Sequence, residues 1–371
     1  MKVRETVAQM VAVTCRRGTY KYDCQELCVR RVKVLFAGRV VEFVDRDVAI
    51  QQFEELAKRG TLWPIVVYGP EGCGKSALLK QAVEVLEEHG YSVTYVSPFA
   101  REEERLLYTE DLKDFVKQAV KEFAKRLPDP FNNAGALIDI AVEALYRVVR
   151  RGRNKRIAIL ADDVFQAIGL DRAEQLVKQF LNMIEWPSIK YEKIVIVVAS
   201  SEGVTRVRIG RHRWAEIREM WNMPREGLRQ LYDLLPEPKP PFEEVWRWTG
   251  GNPEALESVF AMGWSLDRAV EKLMIERGVR GFVRELSESE RRVLAAALED
   301  PDVLLEEIRS AKPMLERLVE LNLVVEVFEF RKPHFWIDVP PPERDTELGI
   351  GKYYAWQTPL HREAVRRALA A

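Results

Sequence analysis

The segment Gly69–Ser76 constrains the fold of this chain more than any other stretch of it. It matches the pattern G-x-x-x-x-G-K-[ST] at every fixed position. The apolar run Ile65–Tyr68 before it predicts a buried strand, and residues 77–88 after it carry apolar side chains at helical spacing. A strand, a glycine-rich loop and a helix in this order predict a phosphate-binding loop in an α/β domain. A glycine-rich turn that carries Lys-Ser by chance is the alternative, and the flanking strand and helix argue against it.

The residue types in this loop suit a nucleotide. Its glycines let the backbone take positive φ and approach phosphate oxygens, while the amides of the loop and of the helix start point at the anion. Lys75 is expected to bridge the β- and γ-phosphates, and the hydroxyl of Ser76 is expected to hold Mg²⁺. The predicted nucleotide-binding residues here are Gly69, Pro70, Glu71, Gly72, Cys73, Gly74, Lys75, Ser76 and Ala77.

A second apolar strand, residues 157–161, ends in Asp162 and Asp163. Beside a phosphate loop, one carboxylate at such a strand end supports magnesium, and the next can polarise the attacking water. We therefore predict that Asp162 holds the metal and that Asp163 acts on the water. A pair of surface acids is the alternative, and the phosphate loop upstream favours the functional interpretation.

A third apolar strand, residues 193–199, ends in Ser200 and Ser201. Polar side chains at this strand end can lie beside the γ-phosphate, so both serines join Lys75 and Asp163 as candidate catalytic residues. Five arginines follow, any of which could stabilise phosphoryl charge in the same or a neighbouring subunit, although a surface salt bridge is the commoner role. They are Arg206, Arg208, Arg211, Arg213 and Arg218.

Continuously apolar strands that alternate with helices predict a parallel sheet covered on both faces, with ligands at the carboxyl ends of the strands. The predicted fold class is α/β, with a P-loop NTPase core over residues 39–234. The proline-rich stretch 235–242 and the Gly-Gly-Asn-Pro sequence that follows predict a small helical lid over 235–282. Residues 1–38 form a lead-in to which we assign no role.

Within the core, helical patterns cover residues 101–126 and 136–151, and a basic run occupies 150–156. This run could contact a nucleic-acid backbone, but a solvated turn before a buried strand is the commoner meaning.

Residues 283–371 predict three helices, two strands at 324–330 and 335–339 that pair as a hairpin, and a final helix. Three helices followed by a β wing are typical of a winged-helix domain. In a DNA-binding version the third helix would read the major groove. Acidic residues offset the basic ones on this helix, so a protein-contact or autoinhibitory role is at least equally favoured. The charged residues concerned are Lys312, Glu316, Arg317 and Glu320.

Composition excludes several classes of protein. The formal net charge of −1 argues against attraction of the whole molecule to nucleic acid or to an anionic membrane. Four cysteines, with no signal peptide and no apolar span of membrane length, predict a cytoplasmic protein without a disulfide framework. Cys24 and Cys28 have no second Cys/His pair at useful spacing, so we predict no zinc site.

With these residues established, the chain resembles the archaeal P-loop ATPases of the STAND branch, which are relatives of the AAA+ ATPases. Residues 43–46, Phe-Val-Asp-Arg, are similar to the F-x-x-R box of the family, and 69–76 to its Walker A loop. Residues 159–166 are similar to its Walker B strand end, and 249–253, Thr-Gly-Gly-Asn-Pro, to its lid motif. Together with the winged helix, the resemblance covers residues 39–371.

The resemblance implies that Phe43 and Arg46 border the adenine, that Pro253 packs on the base or ribose, and that Ser200 or Ser201 is the sensor. It also implies ATP or ADP with Mg²⁺ as cofactors. ATP-dependent switching is implied as well, in which ADP holds a closed monomer and ATP favours an open or oligomeric form.

Two departures from the family pattern bear on this. Many members have Glu at the position of Asp163, which implies slower turnover here. The Glu often found three residues after the box arginine is replaced by Ala49 or Ile50.

The leading hypothesis is therefore an ATP-hydrolysing molecular switch. A nucleotide-loaded scaffold or DNA-binding regulator that holds ADP and barely turns over is the second hypothesis. A small-molecule kinase is the third, and it is disfavoured because the lid and winged helix leave no evident acceptor pocket. His334 and His361 are interpreted as surface or packing residues and receive no role.

Overall fold

A computed structural model describes residues 29–97, 107–108, 156–187, 190–201 and 209–371. The strands in chain order are β1 (Lys33–Phe36), β2 (Arg39–Glu42), β3 (Ile65–Tyr68), β4 (Ser92–Val96), β5 (Leu107–Tyr108), β6 (Arg156–Asp162), β7 (Lys193–Ala199), β8 (Glu216–Met220), β9 (Val324–Glu326), β10 (Trp336–Ile337) and β11 (Tyr354–Trp356).

The helices of the described residues follow the same order along the chain. They are α1 (Asp47–Arg59), α2 (Lys75–Glu88), α3 (Val164–Ile168), α4 (Leu170–Glu185), α5 (Arg225–Asp233), α6 (Phe242–Thr249), α7 (Pro253–Ala261), α8 (Leu266–Glu276), α9 (Val279–Glu285), α10 (Glu288–Ala297), α11 (Val303–Glu306), α12 (Ile308–Glu320) and α13 (Pro359–Ala370).

Some sequence predictions lie outside the described residues. They concern most of the lead-in 1–38, the helical patterns 101–126 and 136–151, most of the basic run 150–156, Cys24, Cys28, Arg206 and Arg208.

Within the described residues, the central sheet has seven strands in the order β10-β8-β3-β7-β6-β4-β5. Every neighbouring pair is parallel except β4 with β5 at one edge, which is antiparallel. The prediction of a P-loop NTPase core built on a parallel sheet is therefore confirmed. The phosphate loop follows β3, which pairs with β7 on one side and β8 on the other. The acidic pair follows β6, and the two serines follow β7, so all three segments lie at the carboxyl edge.

Continuous hydrophobicity explains why the inner strands are buried. Alternate residues of β6, Ile157, Ile159 and Ala161, pack with Val177 and Phe180 of α4 in one core cluster. Because side chains alternate across a strand, the other face of the sheet is covered separately. There α1 and α2 pack together beside β7 and β4. This two-sided packing holds the strand ends that carry the polar residues in fixed positions.

Strand β8 was missed by the sequence reasoning, because its sequence Glu-Ile-Arg-Glu-Met is mostly charged. Arg218 is nevertheless buried and bonded to Glu216 at 2.7 Å, and Glu219 is fully buried. Glu219 accepts hydrogen bonds from Tyr68 Oη at 3.1 Å and from the Phe328 amide at 2.9 Å. These hydrogen bonds from Tyr68 and Phe328, which lie far from Glu219 along the chain, offset the cost of burying its carboxylate inside the sheet.

The antiparallel hairpin of β1 and β2 spans the predicted boundary between residues 38 and 39, so β1 lies in the predicted lead-in and β2 in the predicted core. Its last residues lead directly to Phe43, whose amide donates to Val32 O at 2.8 Å. The domain boundaries predicted from sequence stay predictions.

The three helices predicted after residue 283 are present as α10, α11 and α12, and Ser287 with Glu290 forms the predicted capping box. The predicted pairing of the following strands is wrong. Strand β9 pairs with β11 in an antiparallel two-stranded sheet, while β10 joins the central sheet beside β8. Hydrophobic patterning cannot choose between these partners, since both bury apolar side chains. The winged-helix domain itself stays a prediction.

Among the helices in the described ranges, none is long and apolar enough to cross a membrane.

Candidate functional site

A cavity of about 530 Å³ opens at the carboxyl edge of the sheet. One part of its wall consists of loop residues 71–76 with Ala77, Asp163, Gln166 and Ser201. The other part is largely apolar and includes Phe36, Phe43, Val44, Met223, Leu231 and Pro253. A polar part next to an apolar part suits a ligand with phosphates at one end and a flat ring at the other.

The phosphate loop takes a backbone conformation that favours glycine at three of its positions. Gly69 has φ 153°, Gly72 has φ 74° and Gly74 has φ 102°, all of them positive. Gly74 immediately precedes α2, so the free amides of the first helical turn face the cavity beside it. Backbone donors and a helix start together form an anion-binding cradle.

Lys75 lies inside this loop with only 5% of its surface exposed. Its Nζ donates to Gly69 O at 2.9 Å and to Pro70 O at 2.8 Å. The ammonium group is therefore held at the loop by carbonyl oxygens, which carry no full charge. Phosphate oxygens would be stronger acceptors for it, because charge-assisted hydrogen bonds exceed neutral ones in strength.

Ser76 and Asp162, the two predicted metal-binding residues, are in direct contact. Ser76 Oγ donates to Asp162 Oδ1 at 3.0 Å, and Tyr95 Oη donates to Asp162 Oδ2 at 2.8 Å. Burial, followed by repulsion from Asp163, raises the pKa of Asp162 to about 6. The structure thus brings a hydroxyl and a buried carboxylate together, which is an oxygen donor pair that suits Mg²⁺.

Asp163 and Ser201 also meet at the cavity wall. Ser201 Oγ donates to Asp163 Oδ1 at 3.1 Å, and both side chains line the cavity. Asp163 has φ 49°, and its amide donates to Ala199 O at 3.1 Å, which turns the chain sharply after β6. Ser200 differs from its neighbour, since it is 1% exposed and does not contribute to the cavity wall. Of the two candidate sensors, only Ser201 lies at the cavity.

Phe43 and Pro253, predicted to border the base, both line the apolar part of the cavity. Phe43 is held by the chain turn that follows the hairpin. Pro253 is the first residue of α7, a position where its fixed φ suits a helix and its missing N–H is not needed.

Arg46 lies deeper than its predicted role implies. It lines the cavity, but its guanidinium donates to Asp338 Oδ2 at 2.6 Å, to Cys73 O at 2.7 Å and to Trp221 O at 3.0 Å. Both of its Nη atoms thus donate to protein acceptors, and a contact with adenine stays a prediction.

Glu71 at the tip of the loop is held from several directions. Its amide donates to Gln357 Oε1 at 2.9 Å, and its carbonyl accepts from Asn252 Nδ2 at 2.8 Å. Its carboxylate accepts from Asn322 Nδ2 at 3.1 Å and pairs with Arg277. The tip of the phosphate loop is therefore in direct contact with residues 252 and 277 of the predicted lid and with residues 322 and 357 further along the chain.

Asn252 bonds to three separate segments of the chain. Its Oδ1 caps α7 by accepting from Ala255 N at 2.9 Å, and its Nδ2 also donates to Asn222 Oδ1 at 2.8 Å. Asn222 in turn donates to Gln357 O at 3.1 Å. One buried amide thus joins the helix start, the loop and the segment after β8.

The cavity wall includes the acidic residue Glu254 but none of the predicted arginines after β7 that lie in the described ranges. Burial, followed by repulsion from Glu71, raises the pKa of Glu254, which lines the cavity beside Gly72. Of the predicted arginines that lie within the described ranges, Arg211, Arg213 and Arg218, none contributes to this wall.

The model of a family described as an "ATPase domain predominantly from Archaea" matches residues 43–259. This stretch is more than half of the chain and contains the loop, both strand ends and the lid motif. The chain belongs to this family. It is an ATPase, which binds and hydrolyses ATP.

Several solved structures are similar to this ATPase. A Walker-type ATPase of Pyrococcus abyssi is 15% identical with a TM-score of 0.46, over 87% of this chain and 96% of that one. AMPPCP-bound DnaA from Aquifex aeolicus is 18% identical with a TM-score of 0.35, over 75% of this chain and 84% of that one. The ORC1 protein of Aeropyrum pernix in complex with DNA is 17% identical with a TM-score of 0.35, over 88% and 92%. The comparison with curated proteins gives no match for this ATPase.

Sequence reasoning missed several residues that contact the predicted site. Tyr95 could have been found, since it lies near the end of the strand beside β6. Asn222 follows β8, which was itself missed. Asn322, Asp338 and Gln357 lie far along the chain in segments without a nucleotide-binding pattern, so only the tertiary structure identifies them.

Proposed function

We propose that this ATPase is a magnesium-dependent switch, in which the bound nucleotide controls how the lid and the C-terminal region are held on the core. The observation that carries this proposal is the contact set of Glu71. The loop tip that would follow the phosphates bonds to Gln357, Asn322, Arg277 and Asn252. A change in the loop on binding ATP or on losing the γ-phosphate would therefore act directly on these residues.

The residues fit Mg²⁺ by their chemistry, because Asp162 Oδ1 and Ser76 Oγ are oxygen donors 3.0 Å apart. A bound magnesium ion would supply positive charge that neutralises the phosphates and lowers the pKa of Asp162. Lys75 would exchange its carbonyl partners for phosphate oxygens. The amides of residues 72–76 would hold the β-phosphate, and Phe43 with Pro253 would enclose the base.

In hydrolysis, Asp163 would orient the attacking water and take up its proton, and Ser201 would fix the carboxylate through its hydrogen bond at 3.1 Å. A carboxylate on the short aspartate side chain reaches less far than a glutamate would. Slow turnover follows from this, which is expected for a switch whose nucleotide state must persist.

A nucleotide-loaded regulator with little turnover is the second candidate, and the short Asp163 favours it. DNA contact through α12 is disfavoured by charge, because Lys312 pairs with Glu316 and Arg317 with Glu320 along its exposed face. A protein partner, or a nucleotide-dependent oligomer, fits this balanced surface better.

The test measures ATP turnover by the full chain with and without Mg²⁺, for the parent and for Asp163→Asn, with the exposed Asp233→Asn on α5 as the matched control. Turnover that requires Mg²⁺ and falls in Asp163→Asn alone supports the hydrolytic assignment. Equal turnover by parent and Asp163→Asn contradicts it. Turnover is also measured with duplex DNA at two salt concentrations. An effect of DNA that weakens as salt rises would favour the DNA-binding regulator over the switch without DNA contact, because DNA contacts weaken as salt rises.

The switch itself is tested by hydrogen exchange of peptides that cover 320–326 and 352–358, in ATP with Mg²⁺ and in ADP. Different protection in the two nucleotides is the expected result. Identical exchange in both, with nucleotide shown to be bound, would rule out the switch and leave a simple hydrolase.

A further inference from the structure

Arg46 is a buried cation that joins three parts of the fold. Its guanidinium donates to Asp338 Oδ2 at 2.6 Å, to Cys73 O at 2.7 Å and to Trp221 O at 3.0 Å. The side chains of Arg46 and Asp338 are each only 2% exposed. One arginine thus connects a carbonyl of the phosphate loop to a carboxylate that lies close to the carboxyl terminus of the chain.

Both ends of this ion pair take an unusual backbone conformation. Arg46 has φ 62° and Asp338 has φ 67°, in the left-handed region that residues other than glycine rarely adopt. Such conformations persist only where the surroundings fix them. The geometry of the pair is therefore imposed by its environment.

The segment that carries Asp338 is anchored on the core from two sides. Strand β10 pairs with β8 at the sheet edge, with Trp336 opposite Glu219. Gln52 of α1 holds it from the other side, since Nε2 donates to Trp336 O at 3.0 Å and Oε1 accepts from Asp338 N at 2.8 Å. The indole of Trp336 is fully buried. These contacts place the Asp338 carboxylate beside Arg46.

The bond from Arg46 to Cys73 O controls the peptide unit between Cys73 and Gly74. A peptide unit is planar and trans, so its C=O and N–H point in opposite directions. Holding the carbonyl on the guanidinium therefore turns the Gly74 amide away from Arg46. Gly74 lines the cavity and precedes α2, where an amide donor is needed for phosphate.

We propose that Asp338 is a positioning residue of the nucleotide site, which acts through Arg46 to aim the Gly74 amide at the phosphates. A buried guanidinium without its carboxylate is poorly tolerated, so it would shift toward water and release the loop carbonyl. The inference rests on the proposed nucleotide site at 69–76. It also makes nucleotide binding and the docking of residues 336–338 mutually dependent, because coupling between two sites is reciprocal.

The test uses the full chain with Asp338→Asn, which keeps the shape and removes the charge. Asp345→Asn is the matched control: it lies in the same C-terminal stretch, and its carboxylate accepts only from Leu348 N among the described bonds. Hydrogen exchange of peptides that cover residues 70–76 is measured without nucleotide, and ADP affinity is measured by calorimetry well below the unfolding temperature.

The expected result for Asp338→Asn is faster exchange of the loop and a loss of ADP affinity of about tenfold, within the usual range of coupling between sites. Asp345→Asn should match the parent in both measurements. A second variant, Arg46→Met combined with Asp338→Asn, removes both charges and keeps at 338 a residue that tolerates the left-handed φ. It should unfold at a higher temperature than Asp338→Asn alone, because no buried guanidinium is left without a carboxylate, while ADP affinity stays low because the loop carbonyl has lost its donor.

Parent-like loop exchange together with parent-like ADP affinity in Asp338→Asn would overturn the proposal. A lower unfolding temperature with unchanged ADP affinity would also overturn it, because the pair would then be structural alone. If the parent itself binds no ADP, the proposed nucleotide site fails, and loop exchange still decides whether Asp338 positions the loop.

Discussion

The hydroxyl of Ser76, at the start of α2, donates a hydrogen bond of 3.0 Å to Oδ1 of Asp162, at the end of β6. The two residues come from separate strand-and-helix units, and they meet at the carboxyl edge of the sheet. Tyr95, from the strand on the other side of β6, holds Oδ2 of the same carboxylate at 2.8 Å. The predicted metal-binding carboxylate is thus oriented through both of its oxygens.

Removing the Tyr95 hydroxyl should weaken the use of magnesium. We expect Tyr95→Phe to raise the Mg²⁺ concentration for half-maximal turnover by about tenfold or more, because a freed carboxylate oxygen is less well oriented. The pKa of Asp162 should rise further, since this hydrogen bond lowers it. Tyr91→Phe is the control, as Tyr91 Oη donates to Ala57 O at 2.8 Å elsewhere in the fold. An unchanged Mg²⁺ requirement in Tyr95→Phe would show that Ser76 alone suffices to orient Asp162.

Lys75→Ala should lower ATP affinity by at least about tenfold, because the triphosphate loses its charged partner in the loop. Calorimetry with the full chain measures this directly. Lys58→Ala, at the exposed end of α1, is the control and should bind ATP like the parent. Parent-like affinity in Lys75→Ala would mean that the cavity does not bind the phosphates at this loop.

Gly69→Ala should lower the free energy of unfolding far more than Gly90→Ala, although both glycines have positive φ. A Cβ at Gly69 would lie 1.9 Å from Met220 O, whereas one at Gly90 would meet nothing within 4 Å. Gly90→Ala therefore carries backbone strain alone, of about 1–2 kcal/mol. Gly69→Ala must also move a backbone carbonyl of β8, and we expect a loss of about 4 kcal/mol or more in urea unfolding. Equal losses would indicate that the loop shifts freely.

Asn252→Ala should destabilise the protein by about 2–4 kcal/mol, since it removes a helix cap and leaves Glu71 O and Asn222 Oδ1 without this buried donor. Ser265→Ala is the matched control on the next helix, where the side chain caps Arg268 N and makes no such bridge. Its cost should be about 1 kcal/mol. Thermal and urea unfolding of both variants compare the two losses, and similar values would contradict a bridging role for Asn252.

Asp45 should make the stability depend on pH. Burial, followed by repulsion from Asp338, raises the pKa of Asp45 from 3.8 to about 6. The folded state then binds this proton more tightly than the unfolded chain, so the free energy of unfolding falls as pH rises from about 4 to 6.

Asp45→Asn removes the cost of ionising a buried carboxyl group. Asn also tolerates the left-handed φ of 57° at this position. The variant should therefore gain stability over the parent at pH 7.5, by on the order of 2 kcal/mol, and little at pH 4. Urea unfolding at both pH values measures the gain. Asp47→Asn, at the exposed neighbouring acid, should show no such gain, and a pH-independent difference for Asp45→Asn would contradict the explanation.

Much of the core was predictable because its determinants are local. The continuous apolar runs of β3, β6 and β7 identify buried parallel strands, and the polar residues that end them mark the ligand edge. Glycine spacing with Lys75 and Ser76 identifies the phosphate loop, since few residue types permit such a backbone. The Gly-Gly-Asn-Pro sequence at 250–253 likewise predicts the end of one helix and the start of another near Pro253.

The tertiary structure alone decided which remote segments complete the site. Strand β8 is too charged to be recognised, and β10 has only two residues, so their places in the sheet depend on buried partners supplied by folding. The same holds for Asp338 beside the Arg46 guanidinium and for the Gln357 side chain beside the Glu71 amide, which are 292 and 286 residues apart along the chain. Local patterning fixes what each segment can form, but long-range burial of polar groups selects the partner, because only complete packing decides which hydrogen bonds are made away from water.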